Sequence, residues 1–260
     1  MKYAAAILLR MNMNPVLTPL LTALHEPPPW LLPYVPQLQR ITEAAATQSF
    51  AAALNAVRDS SVPVCFVDHG ELPAAEAYET FIARTDCVPT RDNLHDLFNG
   101  LMWLTWPQTK RRLNRLQAEH IERHGTAGPR GALRDALTLF DENAAVLQAP
   151  ADLAEALRRR DWHTLFATRR AQWHSAQLVL FGHALLEKLL QPRKAITAHV
   201  WLIDAISDAS LAASLTRERL LARSFLPLPV LGVPGWWRRN ESPDFYDDRE
   251  VFRAARAPTP

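Results

Sequence analysis

Apolar residues recur every three or four positions through most of the chain, which is the spacing of amphipathic helices. This pattern predicts helices over residues 37–58, 74–84, 90–106, 108–123, 130–147, 151–158, 161–173, 175–190, 195–206 and 208–222. We expect Thr90 to be the N-cap of the helix 90–106 and Pro107 to end it. The run VPVCFV (62–67) is the one segment that we predict to be a strand.

Two proline-rich segments, HEPPPWLLPYVP (25–36) and FLPLPVLGVPGWW (225–237), flank the helical region. Proline disfavours regular sheet pairing, and large aromatic rings left in water promote aggregation, so the second segment should wrap on the helical body. The predicted fold is therefore mostly α: a single multi-helix domain with at most a minor short strand element and a Pro/Trp-rich irregular C-terminal wrap.

We place this helical domain at residues 14–253. We expect residues 1–13 to be disordered or to precede the true start, because Met11 and Met13 follow closely on the first methionine. We expect residues 254–260 to form a disordered tail.

The composition fits a globular protein: 48% of the 260 residues are hydrophobic and 22% are charged. A formal net charge of +2 gives the whole molecule no strong attraction for nucleic acid. No apolar run reaches the roughly 20 residues that a membrane-spanning helix needs. Cys65 and Cys87 suggest neither a metal cluster nor a disulfide framework, so we predict reduced, packed thiols in a cytoplasmic protein.

A polar stripe runs along the predicted helix 90–106, opposite its apolar face. It contains Asp92, His95, Asp96 and Asn99, and Trp103 and Trp106 continue it. Tryptophan usually buries most of its area, so a stripe that runs into two indoles should be half covered. A solvent-facing surface, a satisfied buried network and a binding or catalytic site all remain open here.

A second candidate lies in FGHALLEKLLQP (181–192), where His183 and Glu187 stand four residues apart on one helix face. The predicted helix is apolar nearly all round, which is typical of a buried helix. A buried carboxylate must be paired or take up a proton. The two residues therefore form either a His–Glu pair in the core or part of a metal or substrate site, to which His199 would add a further imidazole.

A third polar group lies in RDALTLFDENAAVL (134–147), where Asp141 and Glu142 lie opposite the apolar face. Taken alone, this face is an ordinary solvent-exposed helix surface with local charge pairing. Glycine-rich phosphate loops, a GxSxG nucleophile turn and a CxxC motif are missing from the sequence, which excludes the families that carry them.

Several longer motifs follow one another along the chain: YETFI (78–82), PTRDNLHDLFNGLMWLTWPQTKRRLN (89–114), RDALTLFDEN (134–143), FGHALLEKLLQP (181–192) with TAH (197–199), and LPVLGVPGWWRRN followed by FYDDREVFR (228–253). In these motifs, from about residue 20 to 253, the chain resembles the bacterial family called domain of unknown function 3025. The resemblance implies no particular activity. It does imply that the three polar groups coincide with landmarks of the family, which strengthens the case for Asp141 and Glu142.

We favour a binding or interaction protein whose His, Asp and Glu side chains form a buried network, with an unknown small molecule or protein as partner. The Trp/Pro-rich tail would then be a partner surface. Nucleic-acid binding is a weaker alternative, which would use a basic cluster made of Lys110, Arg111, Arg112 and Arg115. The sequence predicts no oligomeric state.

The main alternative is a metal-dependent enzyme that uses the same residues, with hydrolysis as the default reaction and non-haem iron oxidation as a second. Its candidate ligands for Zn, Mn or Fe are His95, Asp141, His183, Glu187 and His199. Its candidate catalytic residues are His95, Asp96, Glu142, His183 and Glu187, and Arg91, Asn99 and Trp103 would bind substrate. This hypothesis requires that helices far apart in the chain turn these groups toward one point.

Overall fold

A computed structural model describes residues 14–125 and 131–255 of the chain. Its α-helices are α1 (Thr18–His25), α2 (Val35–Ala44), α3 (Phe50–Val57), α4 (Tyr78–Thr85), α5 (Leu94–Thr105), α6 (Pro107–His124), α7 (Ala132–Asn143), α8 (Ala151–Arg159), α9 (His183–Lys188), α10 (Asp208–Ser214) and α11 (Arg217–Leu221). The mostly α prediction is therefore confirmed. The disorder predicted for 1–13 and for the end of the chain concerns positions outside the described residues, apart from 254 and 255.

The strands are β1 (Cys65–Asp68), β2 (Cys87–Thr90), β3 (Ala144–Gln148), β4 (Gln177–Leu180), β5 (Thr197–Leu202) and β6 (Leu226–Pro229). Within the described residues they form two small sheets. In one, β1 and β2 pair in parallel; in the other the order is β4-β3-β5-β6, with β3 parallel to β5 and both outer strands antiparallel. The fold therefore mixes helices and strands. The prediction of at most a minor short strand element underestimated the strand content.

Three predicted helices contain these extra strands. The helix predicted for 130–147 ends at Asn143, where β3 begins; 175–190 divides into β4 and α9; and 195–206 is replaced mainly by β5. Four of the five residues of β3 are fully buried, since the sheet packs inside the molecule. A continuous apolar run fits a buried strand as well as a buried helix, so helical spacing alone could not separate the two.

The C-terminal segment wraps on the body, as predicted, but it also contributes a strand. Leu226–Pro229 pairs with β5 at the sheet edge, where proline is tolerated. Further on, the rings of Phe245 and Phe252 are buried, and Tyr246 stacks on Phe166 with centroids 5.2 Å apart. Among the described residues, no helix combines the length and apolar character that crossing a bilayer would require.

Local hydrogen bonds determine where α5 begins, three residues later than predicted. The Asn93 side chain accepts the backbone N–H of Asp96 at 2.8 Å, so Asn93 is the N-cap. Thr90, the predicted cap, instead ends β2. Helix α5 ends at Thr105, and Pro107 is the first residue of α6. The predicted helix end at this proline is therefore confirmed. Helix α5 packs against α9, and α7 packs against both α6 and α9.

Candidate metal centre and cavity

The ends of three helices meet at one place in the core. His95 lies in the first turn of α5, Glu142 in the last turn of α7, and His183 is the first residue of α9. Gly182 allows this close approach: a Cβ there would lie 2.5 Å from the backbone oxygen of Glu142 and the backbone nitrogen of Asn143. Only glycine lets the start of α9 sit directly on the end of α7.

Two imidazoles and one carboxylate turn their polar atoms toward one another. The Nε2 atoms of His95 and His183 are 3.2 Å apart, and Glu142 Oε2 is 3.4 Å from His183 Nε2. One potential ligand atom from each of the three residues lies within 4.8 Å of the other two. His183 is almost fully buried, whereas the His95 and Glu142 side chains are each 37% exposed, so the group is open on one side.

Each histidine also has a carboxylate behind it. His95 Nδ1 is 3.1 Å from Glu187 Oε2, and His183 Nδ1 is 3.9 Å from Asp141 Oδ2. A carboxylate beside Nδ1 favours the tautomer that carries its proton on Nδ1. In that tautomer the Nε2 lone pair of His95 faces His183 Nε2, whereas the buried Nδ1 of His183 makes no hydrogen bond to the described residues. Carboxylate–histidine pairs of this kind orient the imidazole ligands of metal sites.

Burial and local charges set the protonation of the group. Burial lowers the pKa of His183 to about 4, so this ring is neutral at physiological pH. Burial and the neighbouring Asp141 raise the pKa of Glu142. Burial alone would raise the pKa of Asp141 as well, but Lys110 and His183 lower it overall, which keeps this carboxylate ionised.

Lys110 is the buried cation of the site. Its ammonium group donates to Asp141 Oδ1 at 2.6 Å and to Asn99 Oδ1 at 2.7 Å, and it lies 5.5 Å from the Trp103 ring centroid. Asn99 in turn donates to the hydroxyl of Tyr78 at 2.9 Å. Since only 5% of the Lys110 side chain is exposed, this residue is not part of a solvent-facing basic cluster. Lys110 is therefore not available as a member of the basic cluster that the nucleic-acid hypothesis requires.

A cavity of about 290 Å³ lies over this group. Its charged lining residues are Glu79, Arg91, Asp96, Lys110, Asp141 and Glu142, four carboxylates against two cations. Counted without the histidines, the lining carries a formal excess of two negative charges, the amount that one divalent cation would balance. The volume is at the small end of the range for small-molecule sites.

The site residues predicted from the sequence fall into three groups in the structure. His95, Glu142 and His183 meet; Asp141 and Glu187 lie behind the two histidines; Arg91, Asp96, Asn99 and Trp103 line the cavity. Asp96 is engaged by Arg91, whose backbone N–H and guanidinium both donate to it, at 2.7 and 3.0 Å. This pairing leaves Asp96 poorly suited to move a proton.

His199, which we predicted to be a metal ligand, does not lie with His95, Glu142 and His183. It lies on β5, outside the cavity lining, and its Nδ1 is 2.8 Å from Asn143 Nδ2. Because residues 195–206 form a strand rather than a helix, the ring points to a different neighbour than expected. Sequence reasoning also missed Lys110 and Tyr78 as cavity residues; the only signal was their position within the motifs 89–114 and 78–82.

The chain was compared with known families, curated proteins and solved structures. The model of the family described as protein of unknown function (DUF3025) matches residues 64–256, which is well over half of the chain. The chain belongs to the DUF3025 family. No curated protein and no solved structure shows a significant match. The matched region contains every residue of the candidate metal centre and of the cavity lining.

Proposed function

We propose that this DUF3025 chain is a divalent-metal-dependent enzyme that acts on a small molecule, with His95, His183 and Glu142 as the metal ligands. The observation that carries the proposal is the convergence of these three donors at the base of the cavity. We prefer this proposal to the interaction protein that the sequence favoured, because a purely structural network would not need three metal-binding groups in the lining of a cavity.

The positions of the potential ligand atoms support a bound metal ion. When both imidazoles carry their proton on Nδ1, the two Nε2 lone pairs and a carboxylate oxygen of Glu142 face one another. A metal cation between them removes the repulsion, and an N–H on either Nε2 would remove the part between the two rings as a hydrogen bond. Two nitrogens bound to one Zn²⁺ at about 2.0–2.1 Å lie about 3.0–3.4 Å apart. The separation of 3.2 Å between the two Nε2 atoms falls within that range.

Two nitrogens and one oxygen form a donor set for zinc, manganese or iron(II) rather than calcium. An ion held there would supply Lewis-acid chemistry, polarising a substrate oxygen and acidifying water, which makes hydrolysis the default reaction. Iron(II) on the same donors would direct the site toward oxidation instead. The identity of the metal therefore selects between the two reaction classes.

The remaining cavity residues have distinct roles in this proposal. Lys110 has three N–H donors and two partners, so its third N–H is available to a substrate oxygen. Asp141 holds Lys110 in place, and its second carboxylate oxygen lies 3.9 Å from the Nδ1 atom of His183. Trp103, beside the Lys110 ammonium, provides an apolar wall for the substrate. Glu187 keeps the His95 proton on Nδ1.

Metal analysis of protein purified without a histidine tag tests the proposal. We expect about one equivalent of a transition metal per chain after loading and dialysis. Glu142→Gln is the most informative variant, because its half-exposed side chain can change with little effect on folding. This variant and His95→Ala should each lose most of the metal. His174→Ala, which removes an exposed histidine elsewhere, should retain it.

Two results would contradict the proposal. One is wild-type protein with far less than one equivalent of metal, unchanged in Glu142→Gln. The other is a metal content that falls equally in the His174→Ala control. Thermal melting adds a check on folding, because metal that binds the native state should raise the melting temperature of wild type and not of Glu142→Gln.

A metal-free binding protein is the second candidate, and one observation favours it. The chain of hydrogen bonds through Asp141, Lys110, Asn99 and Tyr78 is complete without a metal. The tail offers this candidate little, because Leu32 and Leu221 are the large hydrophobics exposed among the described residues, and both lie outside it. Wild type that folds normally and takes up no metal would favour this candidate. We propose a cytoplasmic location for either function.

A further inference from the structure

The two cysteines of the chain lie opposite each other in the small parallel sheet. Cys65 and Cys87 are register partners at the start of β1 and β2, and their sulfur atoms are 2.9 Å apart. The sequence predicted reduced, packed thiols, because two cysteines form neither a metal cluster nor a disulfide framework. Both side chains are half-buried rather than sealed in the core, so a small oxidant can reach them.

The backbone spacing of neighbouring strands suits a covalent bond between them. Adjacent strands lie about 4.8 Å apart. Disulfides join residues whose Cα atoms are about 4.4–6.8 Å apart, and both side chains here point to the same side of the sheet. Forming the bond therefore requires no rearrangement of β1 or β2.

The segment between the two cysteines forms one wall of the cavity. It contains β1, the turn His69–Glu71 and helix α4, and it supplies His69, Leu72, Tyr78, Glu79 and Ile82 to the cavity lining. Cys87 lies four residues before Arg91 and eight before His95, which are on the adjoining wall. A bond between the cysteines would join both ends of this wall segment covalently.

We infer that Cys65 and Cys87 are a redox modification site, whose disulfide ties together the ends of this cavity wall. The inference stands on the sheet geometry and does not depend on the proposed metal chemistry. The oxidant is a small disulfide such as oxidised glutathione. The thiolate of one cysteine attacks it, forms a mixed disulfide and displaces one glutathione thiolate. The thiolate of the other cysteine then attacks the mixed disulfide and displaces the second glutathione thiolate. The two protons lost by the cysteine thiols are taken up by the two glutathione thiolates, so the small disulfide is reduced to two thiols as the cysteines are oxidised.

The rate of this reaction depends on how readily a thiolate forms. Burial and the adjacent Cys87 raise the pKa of Cys65 to about 11, so few Cys65 thiolates exist at neutral pH. We therefore expect slow oxidation at pH 7 and faster oxidation at pH 9. A pair of this kind behaves as a lasting crosslink under oxidising conditions rather than as a rapid catalytic thiol pair.

The test incubates full-length protein with oxidised glutathione, and a matched sample with dithiothreitol, before denaturation and alkylation. In the oxidised sample we expect both thiols to be lost to alkylation, a mass decrease of two hydrogen atoms, and a cross-linked peptide pair containing Cys65 and Cys87. Cys87→Ser should carry one glutathione adduct instead. Wild type with two free thiols, or with one glutathione on each, would overturn the inference.

Hydrogen exchange measured by mass spectrometry tests the effect on the cavity wall. We expect residues 69–85 to exchange more slowly in the oxidised protein than in the reduced one, with β3 unchanged as the internal reference. Equal exchange of residues 69–85 in the two states would refute the role in holding the wall, even if the disulfide forms. Cys65→Ser/Cys87→Ser, treated identically, should show no difference between oxidised and reduced samples.

Discussion

Replacing Lys110 with methionine tests how the site is held together. Methionine preserves most of the aliphatic stem and removes the ammonium group. The change leaves the Asp141 carboxylate without the cation at 2.6 Å and the Asn99 oxygen without its donor at 2.7 Å. Removing one partner of a buried ion pair typically costs about 3–5 kcal/mol. Because 19% of the Asp141 side chain remains exposed at the cavity, we expect the low end, about 3 kcal/mol.

Urea unfolding followed by the fluorescence of the eight tryptophans measures this loss. The slope of the unfolding free energy against urea concentration should be the same in wild type and variant. A change in the urea midpoint then reports a change in stability. Asp141→Asn in the Lys110→Met background should recover part of the loss, since it removes the uncompensated charge. Comparing the unfolding free energy of the double variant with those of the two single variants then gives the coupling energy between Lys110 and Asp141.

Lys194 provides the matched control. Its ammonium group is 3.1 Å from Asp248, and the two side chains are 24% and 35% exposed. A partly exposed pair contributes about 0–1 kcal/mol, and the Phe245 ring, whose centroid is 4.4 Å from the Lys194 ammonium, adds about 0.5–1 kcal/mol, so Lys194→Met should change stability less than Lys110→Met. If Lys110→Met cost no more than Lys194→Met, the buried pair would not hold the site and the reasoning would be wrong.

Two further predictions concern the approach of α9 to α7. In chelator-treated protein, His183 has a pKa of about 4 when folded, below its unfolded value of about 6.5. The unfolded chain therefore takes up the proton first, and the stability present above pH 6.5 should fall by about 3 kcal/mol as the pH drops to 4. Urea midpoints should show this slope in wild type and lose it in His183→Gln; an equal slope in both would contradict the assignment. Gly182→Ala should cost about 1–3 kcal/mol and weaken metal binding, because its Cβ would meet backbone at 2.5 Å. An unchanged unfolding midpoint and metal content would show that the close approach is not needed.

Helical spacing in the sequence was enough to predict a mostly α protein, and quoted motifs such as that at 89–114 were enough to predict the family. The polar stripe on α5 was also readable, because amphipathic spacing encodes which residues share a face. The strands at Ala144–Gln148 and Thr197–Leu202 were not readable. Whether such a run becomes helix or strand depends on the partner it pairs with, and β3 pairs on both sides with segments distant in the chain.

The candidate site, like the fold, was only partly predictable from the sequence. The sequence singled out His95 and His183 from residue types and local spacing, and Glu142 through the family resemblance, but it could not show that the three residues meet. Only the packing of α5, α7 and α9 brings them together, and it assigns His199 to Asn143 instead. The same packing buries Lys110, which the sequence had assigned to a basic surface cluster. Local spacing determines the face of a helix on which a side chain lies, whereas the burial and partners of that side chain depend on long-range contacts.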